Sequence, residues 1–220
     1  MIKVVIFDFD GVIVESVDIK TRAFAELFRK EGSNIVKKVV DYHLVNAGVS
    51  RYEKFRYIYR QILKRDLSED EFKELCDRFT VLVTQAVVEA PYVKGAKDFL
   101  RKHAAKYRFF MVSATPQKEI EEIAGKRNIT HFFETIYGAP TKKTSAVEDM
   151  LRREAVNSQN AVYVGDAMSD YDAAKNNHVD FIARIDKNES MFSNIDCLKI
   201  KDLTYLEGAI EKLDRKERIQ

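Results

Sequence analysis

The feature that most constrains the fold is an apolar run near the start of the chain. Residues 4–14 read VVIFDFDGVIV. A run so rich in β-branched residues predicts a strand buried on both faces, as in the middle of a parallel sheet. Asp8 and Asp10 fall where that strand meets its loop, and side chains two residues apart leave a strand on the same side. Two carboxylates there repel each other and resist desolvation, so a cation or a reaction uses them, unless Asp10 and Gly11 form an ordinary turn.

Composition narrows the class of protein. The chain has 220 residues, 45% hydrophobic and 33% charged, with a formal net charge of +2. These values are typical of a soluble globular protein and give no global reason to bind nucleic acid or membrane. No apolar run approaches the length of a membrane span, and the first strand leaves no room for a signal peptide, so we expect a cytoplasmic protein. Cys76 and Cys197 lie far apart without metal-ligand spacing, which favours packing roles.

A block of helical patterns follows the opening strand. The apolar periodicity predicts helices over residues 15–31, 35–46, 51–65 and 69–88. Ser50 and Ser68 are the expected N-caps of the last two. The segment APYVKG at residues 90–95 ends this block and marks a boundary.

Strand and helix patterns alternate from residue 95 onwards. Helices are predicted over 95–104, 116–127, 143–155 and 169–177 and from about residue 202, and strands over 107–112, 135–138, 160–164, 180–185 and, more weakly, 197–200. The alternation predicts an α/β fold with a doubly wound parallel sheet. Residues 1–14 and 92–220 would form this core, and residues 15–91 a helical insertion. Ligands of such sheets bind beyond the carboxyl ends of the strands.

Two of these strand ends could bind an anion. Ser113 and Ala114 precede a predicted helix, where a hydroxyl and backbone N–H groups suit a phosphate oxygen, although serine before a helix is also an ordinary cap. Lys142 and Lys143 open the helix at 143–155, and lysine is unfavourable there against the helix dipole. An anionic ligand or buried carboxylates would explain a lysine at this position; exposed, solvated lysines are the alternative.

A third strand end supplies more acids. Asp166 follows the strand at 160–164 directly, and Asp170 lies one helical turn further on, where it could simply complement the helix dipole. Together with Asp8, Asp166 makes an oxygen cage of the kind that Mg²⁺ accepts. A carboxylate can attack a phosphate ester if Mg²⁺ and a lysine offset the charge and a second acid protonates the leaving oxygen.

The motifs resemble those of the haloacid dehalogenase-like hydrolase superfamily, whose members are mostly Mg²⁺-dependent phosphatases. DFDGV at residues 8–12, Ser113, Lys143 and GDAMSD at residues 165–170 match its four motifs in order. The resemblance covers nearly the whole chain. It implies that Asp8 is the nucleophile and that Asp10 is the general acid and base, which also offers its backbone carbonyl to Mg²⁺.

The same resemblance implies roles for the residues of the remaining motifs. Ser113 and the backbone N–H of Ala114 would bind the transferring phosphoryl group. Lys143, which aligns better than Lys142, would support that group and the nucleophile. Asp166 would ligate Mg²⁺, and Asp170 would hold the surroundings of the metal.

The helical insertion resembles the C1-type cap of the phosphoglycolate phosphatase and β-phosphoglucomutase branch, which closes over the substrate. Residues 48–51 are similar to a mutase cap loop that brings an arginine to the non-transferring phosphate, so Arg51 is a candidate substrate-binding residue; a solvated helix-start arginine is the alternative. Lys20 stands where the mutase has a histidine that gates the acid/base aspartate. Lys20 is a second candidate substrate-binding residue. A lysine in place of the mutase histidine favours hydrolysis over mutase chemistry.

The insertion is basic, and most of its charges are expected to face solvent. The positive residues of residues 35–65 are Lys37, Lys38, Arg51, Lys54, Arg56, Arg60, Lys64 and Arg65. Such a face could steer an anionic substrate towards the site.

The sequence thus predicts a Mg²⁺-dependent phosphomonoesterase that acts on a small phosphorylated metabolite through an aspartyl-phosphate intermediate. A sugar-phosphate mutase is the first alternative. A non-catalytic phospho-acceptor or binding protein is the second, since an aspartate at the end of a doubly wound strand also describes such proteins. The expected partner is a small molecule, and the sequence predicts no oligomeric state.

Overall fold

The computed structural model describes residues 1–186 and 189–216 of the chain. The strands in this part are β1 Val4–Phe7, β2 Arg108–Pro116, β3 Phe133–Ala139, β4 Ala161–Gly165, β5 Asp180–Arg184 and β6 Leu198–Ile200. They form one six-stranded sheet in the order β3-β2-β1-β4-β5-β6, and every neighbouring pair is parallel. The predicted α/β fold with a doubly wound parallel sheet is confirmed.

Helices cover the sheet and fill the insertion. Their bounds are α1 Val17–Leu27, α2 Ser33–Val45, α3 Arg51–Tyr57, α4 Glu69–Glu89, α5 Ala96–His103, α6 Gln117–Lys126, α7 Lys143–Arg153, α8 Met168–Asn176 and α9 Leu206–Lys216. A π-helical segment, Ile58–Leu63, prolongs α3. The last four residues of the predicted final helix and core, 217–220, lie outside the described residues, as do residues 187 and 188. No helix of the described part is long and apolar enough to cross a membrane.

The central strand β1 is buried because it has sheet neighbours on both sides and a hydrophobic cluster on each face. Val5 and Phe7 belong to one cluster, and Val4 and Ile6 to the other, as the two-residue period of a strand requires. The chain builds β2 and β3 on one side of β1 and then crosses to β4 on the other side. The strand order therefore reverses next to β1, which is the place where doubly wound sheets bind ligands.

The first strand ends where its two carboxylates predict, whereas the second runs further than predicted. The first ends at Phe7, and the next residues turn so that the Phe9 carbonyl accepts hydrogen bonds from the backbone N–H groups of Ile13 and Val14, at 2.9 and 3.1 Å. In contrast, β2 continues to Pro116, which pairs with Ala139 of β3 after a shift in register. Residues 113–115, predicted as a strand-end loop, and Pro116, predicted as the start of a helix, are therefore the distal part of the strand, because pairing with β3 extends it.

The helical insertion, residues 15–91, leaves the core and returns to it at one place. The backbone N–H of Glu15 donates to the Pro91 carbonyl at 3.0 Å, and that of Val93 donates to the Ile13 carbonyl at 3.0 Å. Its own core contains the rings of Phe24, Phe55 and Phe79, whose centroids lie 4.8–6.0 Å apart. The division of the chain into core and cap domains at these residues stays a prediction.

Candidate active site

A small cavity of about 40 Å³ lies between the carboxyl ends of the central strands and the helical insertion. Its lining is rich in charged and polar side chains. These are Asp8, Asp10, Lys20, His43, Arg51, Lys54, Thr115, Lys143 and Asp166. Acids from the core thus meet basic groups of the insertion across one small cavity.

Asp8 sits where β1 ends, and it is 3% exposed. Its backbone N–H donates to the Val164 carbonyl at 3.0 Å, and one carboxylate oxygen accepts from the N–H of Phe9 at 2.7 Å. The other oxygen lies 3.0 Å from the Lys143 ammonium group. Burial raises the pKa of Asp8 to about 7 even though Lys143 opposes the shift, and the charges of Asp170 and Asp10 add to it. The lysine alone therefore does not compensate the negative charge at this position.

Three carboxylates of the core form a cluster. One oxygen from each of Asp8, Asp166 and Asp170 lies within 4.8 Å of the other two. Burial raises the pKa of Asp166 well above its usual value, and the charges of Asp8 and Asp170 add to this shift. Within residues 1–186 and 189–216, no hydrogen bond or ion pair holds the Asp166 carboxylate. The donor set fits Mg²⁺, since this ion prefers hard oxygen ligands and its charge would offset the repulsion among the three carboxylates.

Asp170 differs from the other two acids because hydrogen bonds already hold it. It is fully buried and accepts from the Lys143 ammonium group at 2.6 Å, the Tyr163 hydroxyl at 2.8 Å and the backbone N–H of Ala167 at 3.1 Å. Asp8 and Asp166 are therefore the better placed ligands, and Asp170 lies behind them. The Asp10 carboxylate is not in the cluster, and the predicted use of the Asp10 backbone carbonyl as a ligand stays a prediction.

Lys143 occupies the first turn of α7 and points into the site. It is 7% exposed and bridges Asp8 and Asp170, at 3.0 and 2.6 Å. Burial lowers its pKa, but the two carboxylates outweigh burial and raise the pKa above the usual value, so Lys143 is charged. Lys142 is exposed at the N-cap position. The positive charge of Lys143 is unfavourable at the start of a helix, and the buried carboxylates of Asp8 and Asp170 compensate it.

Asp10 belongs to a second group of side chains. Its carboxylate accepts hydrogen bonds from the Ser16 hydroxyl at 2.6 Å, the Lys20 ammonium group at 2.5 Å and the Thr115 hydroxyl at 3.2 Å. Burial raises the pKa of Asp10, but Lys20 and Ser16 outweigh it and lower the pKa below its usual value. Lys20 reaches Asp10 because it is one helical turn beyond Ser16, the N-cap residue of α1. It also donates to Thr115 at 2.8 Å.

The predicted phosphoryl-binding residues lie beside this group. Ala114 lines the cavity. Ser113 is 1% exposed, and its hydroxyl accepts from the backbone N–H of Thr115 at 3.1 Å. Thr115, which was not among the predicted site residues, contacts both Asp10 and Lys20 and is therefore closer to the acid/base candidate than Ser113 is.

Arg51 is buried, and the alternative of a solvated arginine is wrong. It is 5% exposed and lines the cavity. Its guanidinium group donates to Glu119 at 2.5 Å and to the Thr80 hydroxyl at 2.8 Å, and it lies 4.4 Å from the ring centroid of Phe79. Glu119 belongs to α6 of the core. A buried ion pair therefore joins the insertion to the core next to the cavity.

Two further residues were missed by the sequence analysis. Lys54 is 2% exposed, an exception to the expectation that most charges of the insertion face solvent. That expectation is confirmed by the exposed positions of Lys37, Lys38, Arg56, Arg60, Lys64 and Arg65. His43 is as buried as Lys54 and lines the same cavity. A signal was present in the sequence, because Lys54 lies three residues after Arg51 and residues at this spacing share one helix face.

The comparisons with known proteins agree with this geometry. Residues 5–184 match the model of the haloacid dehalogenase-like hydrolase family. Over 183 residues, 79% of this chain and 80% of the relative, the sequence is 26% identical to the phosphoglycolate phosphatase of Aliivibrio fischeri. The fold is similar to that of β-phosphoglucomutase from Clostridium difficile, with TM-score 0.80, 20% identity and 100% coverage of both chains. It is also similar to CbbY from Rhodobacter sphaeroides in complex with phosphate, with TM-score 0.77, 20% identity and coverage of 97% and 100%. The chain belongs to the haloacid dehalogenase-like hydrolase family.

Proposed function

We propose that this protein is a Mg²⁺-dependent phosphomonoesterase that acts on a small phosphorylated metabolite through an aspartyl-phosphate intermediate. The observation that carries the proposal is the placement of Asp8, buried at the end of β1, close to both the Lys143 ammonium group and the Asp166 carboxylate, which has no hydrogen-bond or ion-pair partner among the described residues. The similarity to phosphoglycolate phosphatases, at 26% identity, supports the choice of a phosphate ester.

In the first step, a carboxylate oxygen of Asp8 forms a bond to phosphorus while the bond to the leaving oxygen breaks. Lys143 offsets part of the charge that two approaching anions bring together. Asp8 and Asp166 would hold Mg²⁺, with Asp170 behind them and the Asp10 carbonyl as a further ligand. When bound, the ion neutralises negative charge on the phosphoryl oxygens.

Asp10 moves the protons in this proposal. Lys20 and Ser16 keep it ionised in the free enzyme, and the negative phosphate group of a bound substrate raises its pKa so that it can carry a proton. Protonated Asp10 donates to the leaving oxygen. The resulting carboxylate then takes a proton from the water that attacks the aspartyl phosphate, which releases phosphate and restores Asp8. An ionised Asp10 suits this second step. Hydrolysis is favoured over mutase chemistry because Lys20 stands where the mutase has a histidine.

Residues 15–91 act as a cap in this proposal. A cavity of about 40 Å³ has room for roughly three water molecules, which is too little for a phosphate ester. The insertion must therefore move away from the core to admit substrate, and its return excludes bulk water from the reaction.

The proposal is tested by the hydrolysis of p-nitrophenyl phosphate with and without Mg²⁺. In Asp8→Asn, we expect kcat to fall at least about a thousandfold, because the amide cannot act as the nucleophile. Asp41→Asn, the same substitution at an exposed position of α2, is the matched control and should keep the wild-type rate. Metal-dependent hydrolysis that survives in Asp8→Asn would contradict the mechanism.

A further inference from the structure

The charged groups of the cavity are not equally paired. Lys20 is paired with Asp10, Lys143 with two acids and Arg51 with Glu119. Lys54 is the exception. Its ammonium group lies 2.9 Å from Nδ1 of His43 and 3.1 Å from the Ala47 carbonyl, and no carboxylate among the described residues forms an ion pair with it.

This exception matters because Lys54 is buried. A charge taken out of water without a counter-ion is costly, and proteins seldom keep one without a use for it. Burial lowers the pKa of Lys54 well below its usual value, and the positive charge of nearby Lys20 adds to the shift. An anion brought into the cavity would supply the missing partner.

His43 presents a second unsatisfied group in the same place. Its ring stacks on Phe24 at 4.5 Å between centroids. Burial and the charge of Lys54 lower its pKa to about 2, so the ring is neutral. When charged Lys54 donates to Nδ1, the single ring proton must be on Nε2. That atom is buried and has no hydrogen-bond partner in the part of the chain that the structure describes.

Charged Lys54 and His43 therefore offer donors that no acceptor within residues 1–186 and 189–216 takes. An ammonium group has three N–H bonds, and two of the Lys54 bonds are directed to His43 and Ala47. The third remains, together with the N–H of His43. Both residues line the cavity that also contains Asp8. Arg51 lies one turn away, but Glu119 already compensates its charge.

We propose that Lys54 and His43 bind a second anionic group of the substrate, a carboxylate or a second phosphate, and thereby determine which phosphate esters are hydrolysed. The proposal rests on the proposed phosphatase function and sharpens its substrate class to phosphorylated metabolites that carry another anion. Arg51, the candidate favoured by the sequence, instead holds the insertion against the core.

The test compares two pairs of probes that differ only in the second anion. Phosphoglycolate carries a carboxylate that hydroxyethyl phosphate lacks. Xylulose bisphosphate carries a second phosphate that xylulose monophosphate lacks. The measured quantity is the ratio of kcat/KM within each pair, for wild type, Lys54→Met, His43→Phe and Arg51→Met. Lys38→Met removes the same charge from an exposed position of α2 and is the matched control.

We expect the wild type to prefer the anionic member of at least one pair. Lys54→Met should reduce that preference by about 10- to 100-fold, the effect of a hydrogen bond to a charged group. His43→Phe should reduce it less, and Lys38→Met should leave it unchanged. The pair that responds identifies the second anion as a carboxylate or a phosphate.

Three results would overturn the inference: no preference in the wild type, an unchanged preference in Lys54→Met, or a larger loss of preference in Arg51→Met than in Lys54→Met. Thermal unfolding verifies folding of Lys54→Met, which keeps the aliphatic chain and removes a buried charge. Hydrolysis of p-nitrophenyl phosphate separates the two proposals. If that ester is hydrolysed while the preference fails, only the specificity inference is wrong; if no ester is hydrolysed, the proposed function fails as well.

Discussion

At the scale of single residues, the acidic cluster is the most consequential arrangement in the molecule. Asp8 and Asp166 both have raised pKa values, because burial and the charges of neighbouring carboxylates disfavour their ionised forms. Lys143 reduces the repulsion, but it is shared with Asp170. The fold thus keeps a deficit of positive charge at the place where a metal ion and a phosphoryl group would meet.

The cluster makes stability depend on pH and on Mg²⁺. The pKa of Asp8 rises from 3.8 to about 7 on folding, so the folded state binds more protons than the unfolded state between these values. Its contribution to stability is present below about pH 4 and is lost as pH rises to about 7. Because Mg²⁺ replaces the proton, the increase in melting temperature on adding Mg²⁺ should be larger at about pH 8 than at about pH 5.

Differential scanning fluorimetry at both pH values measures this increase. Asp166→Asn removes one member of the cluster and should reduce the Mg²⁺ effect at the higher pH. An equal increase at both pH values, or an unchanged effect in Asp166→Asn, would contradict the assignment of the cluster as a metal site.

The sequence predicted the core side of this site better than the insertion side. Asp8, Lys143 and Asp166 follow strand ends or open a helix, and parallel strands bring those positions to one edge of the sheet. For Lys54, the sequence offers only the helical spacing from Arg51, and for His43 it offers no comparable rule. Each lies on a helix with charged neighbours, and its burial depends on how separate helices pack against each other. The spacing of apolar residues along one helix does not predict that packing.

At the scale of elements, the ion pair between Arg51 and Glu119 links three helices. Arg51 begins α3, Thr80 belongs to α4 and Glu119 to α6, and the Thr80 hydroxyl also donates to Glu119 at 2.9 Å. Both charged side chains are nearly inaccessible, at 4% and 7% exposure. The loss of one partner therefore leaves the other as an uncompensated buried charge.

This arrangement predicts strongly non-additive mutations. Glu119→Leu should lower the free energy of unfolding by ~3–5 kcal/mol, since it leaves Arg51 buried and unpaired. Adding Arg51→Met should recover much of that loss, because the double variant contains no buried charge at this position. Urea unfolding of the two single variants and the double variant measures the coupling. Effects that simply add would show that the pair does not act as a unit.

The boundaries of the elements were predicted less well than their order. The residues around Pro116 were assigned to a loop and a helix start, whereas Pro116 pairs with Ala139 at the end of β2. The spacing of apolar residues in a segment indicates which of its own side chains are buried. An extension with a register shift depends on the neighbouring strand, and that neighbour was not identifiable from the sequence.

At the scale of the whole molecule, the insertion and the core touch at Gly48. A Cβ atom on Gly48 would lie 2.0 Å from the Ser169 hydroxyl oxygen and 2.9 Å from the Ala167 Cβ. Both neighbours follow β4, next to Asp166. The absence of a side chain at Gly48 therefore allows the insertion to close against the loop that carries the acidic cluster.

Gly48→Ala should hold the insertion away from the core. We expect kcat/KM for p-nitrophenyl phosphate to fall about 10-fold or more, because small displacements of positioning groups are expensive in catalysis. Adding Ser169→Ala removes the nearest clashing atom and should restore part of the activity. Steady-state kinetics of both variants measures the effect, and wild-type activity in Gly48→Ala would show that this contact is not needed for closure.

The two ends of the insertion lie next to each other, and this affects the order in which the chain can fold. β1 must pair with β2, and the whole insertion separates them in sequence. Pairing across so long a loop is entropically costly and slow. If the helices of the insertion form first, they bring Val14 and Tyr92 together and shorten that loop. The segment that closes over the cavity would then also be the scaffold on which the strand leading to Asp8 finds its place in the sheet.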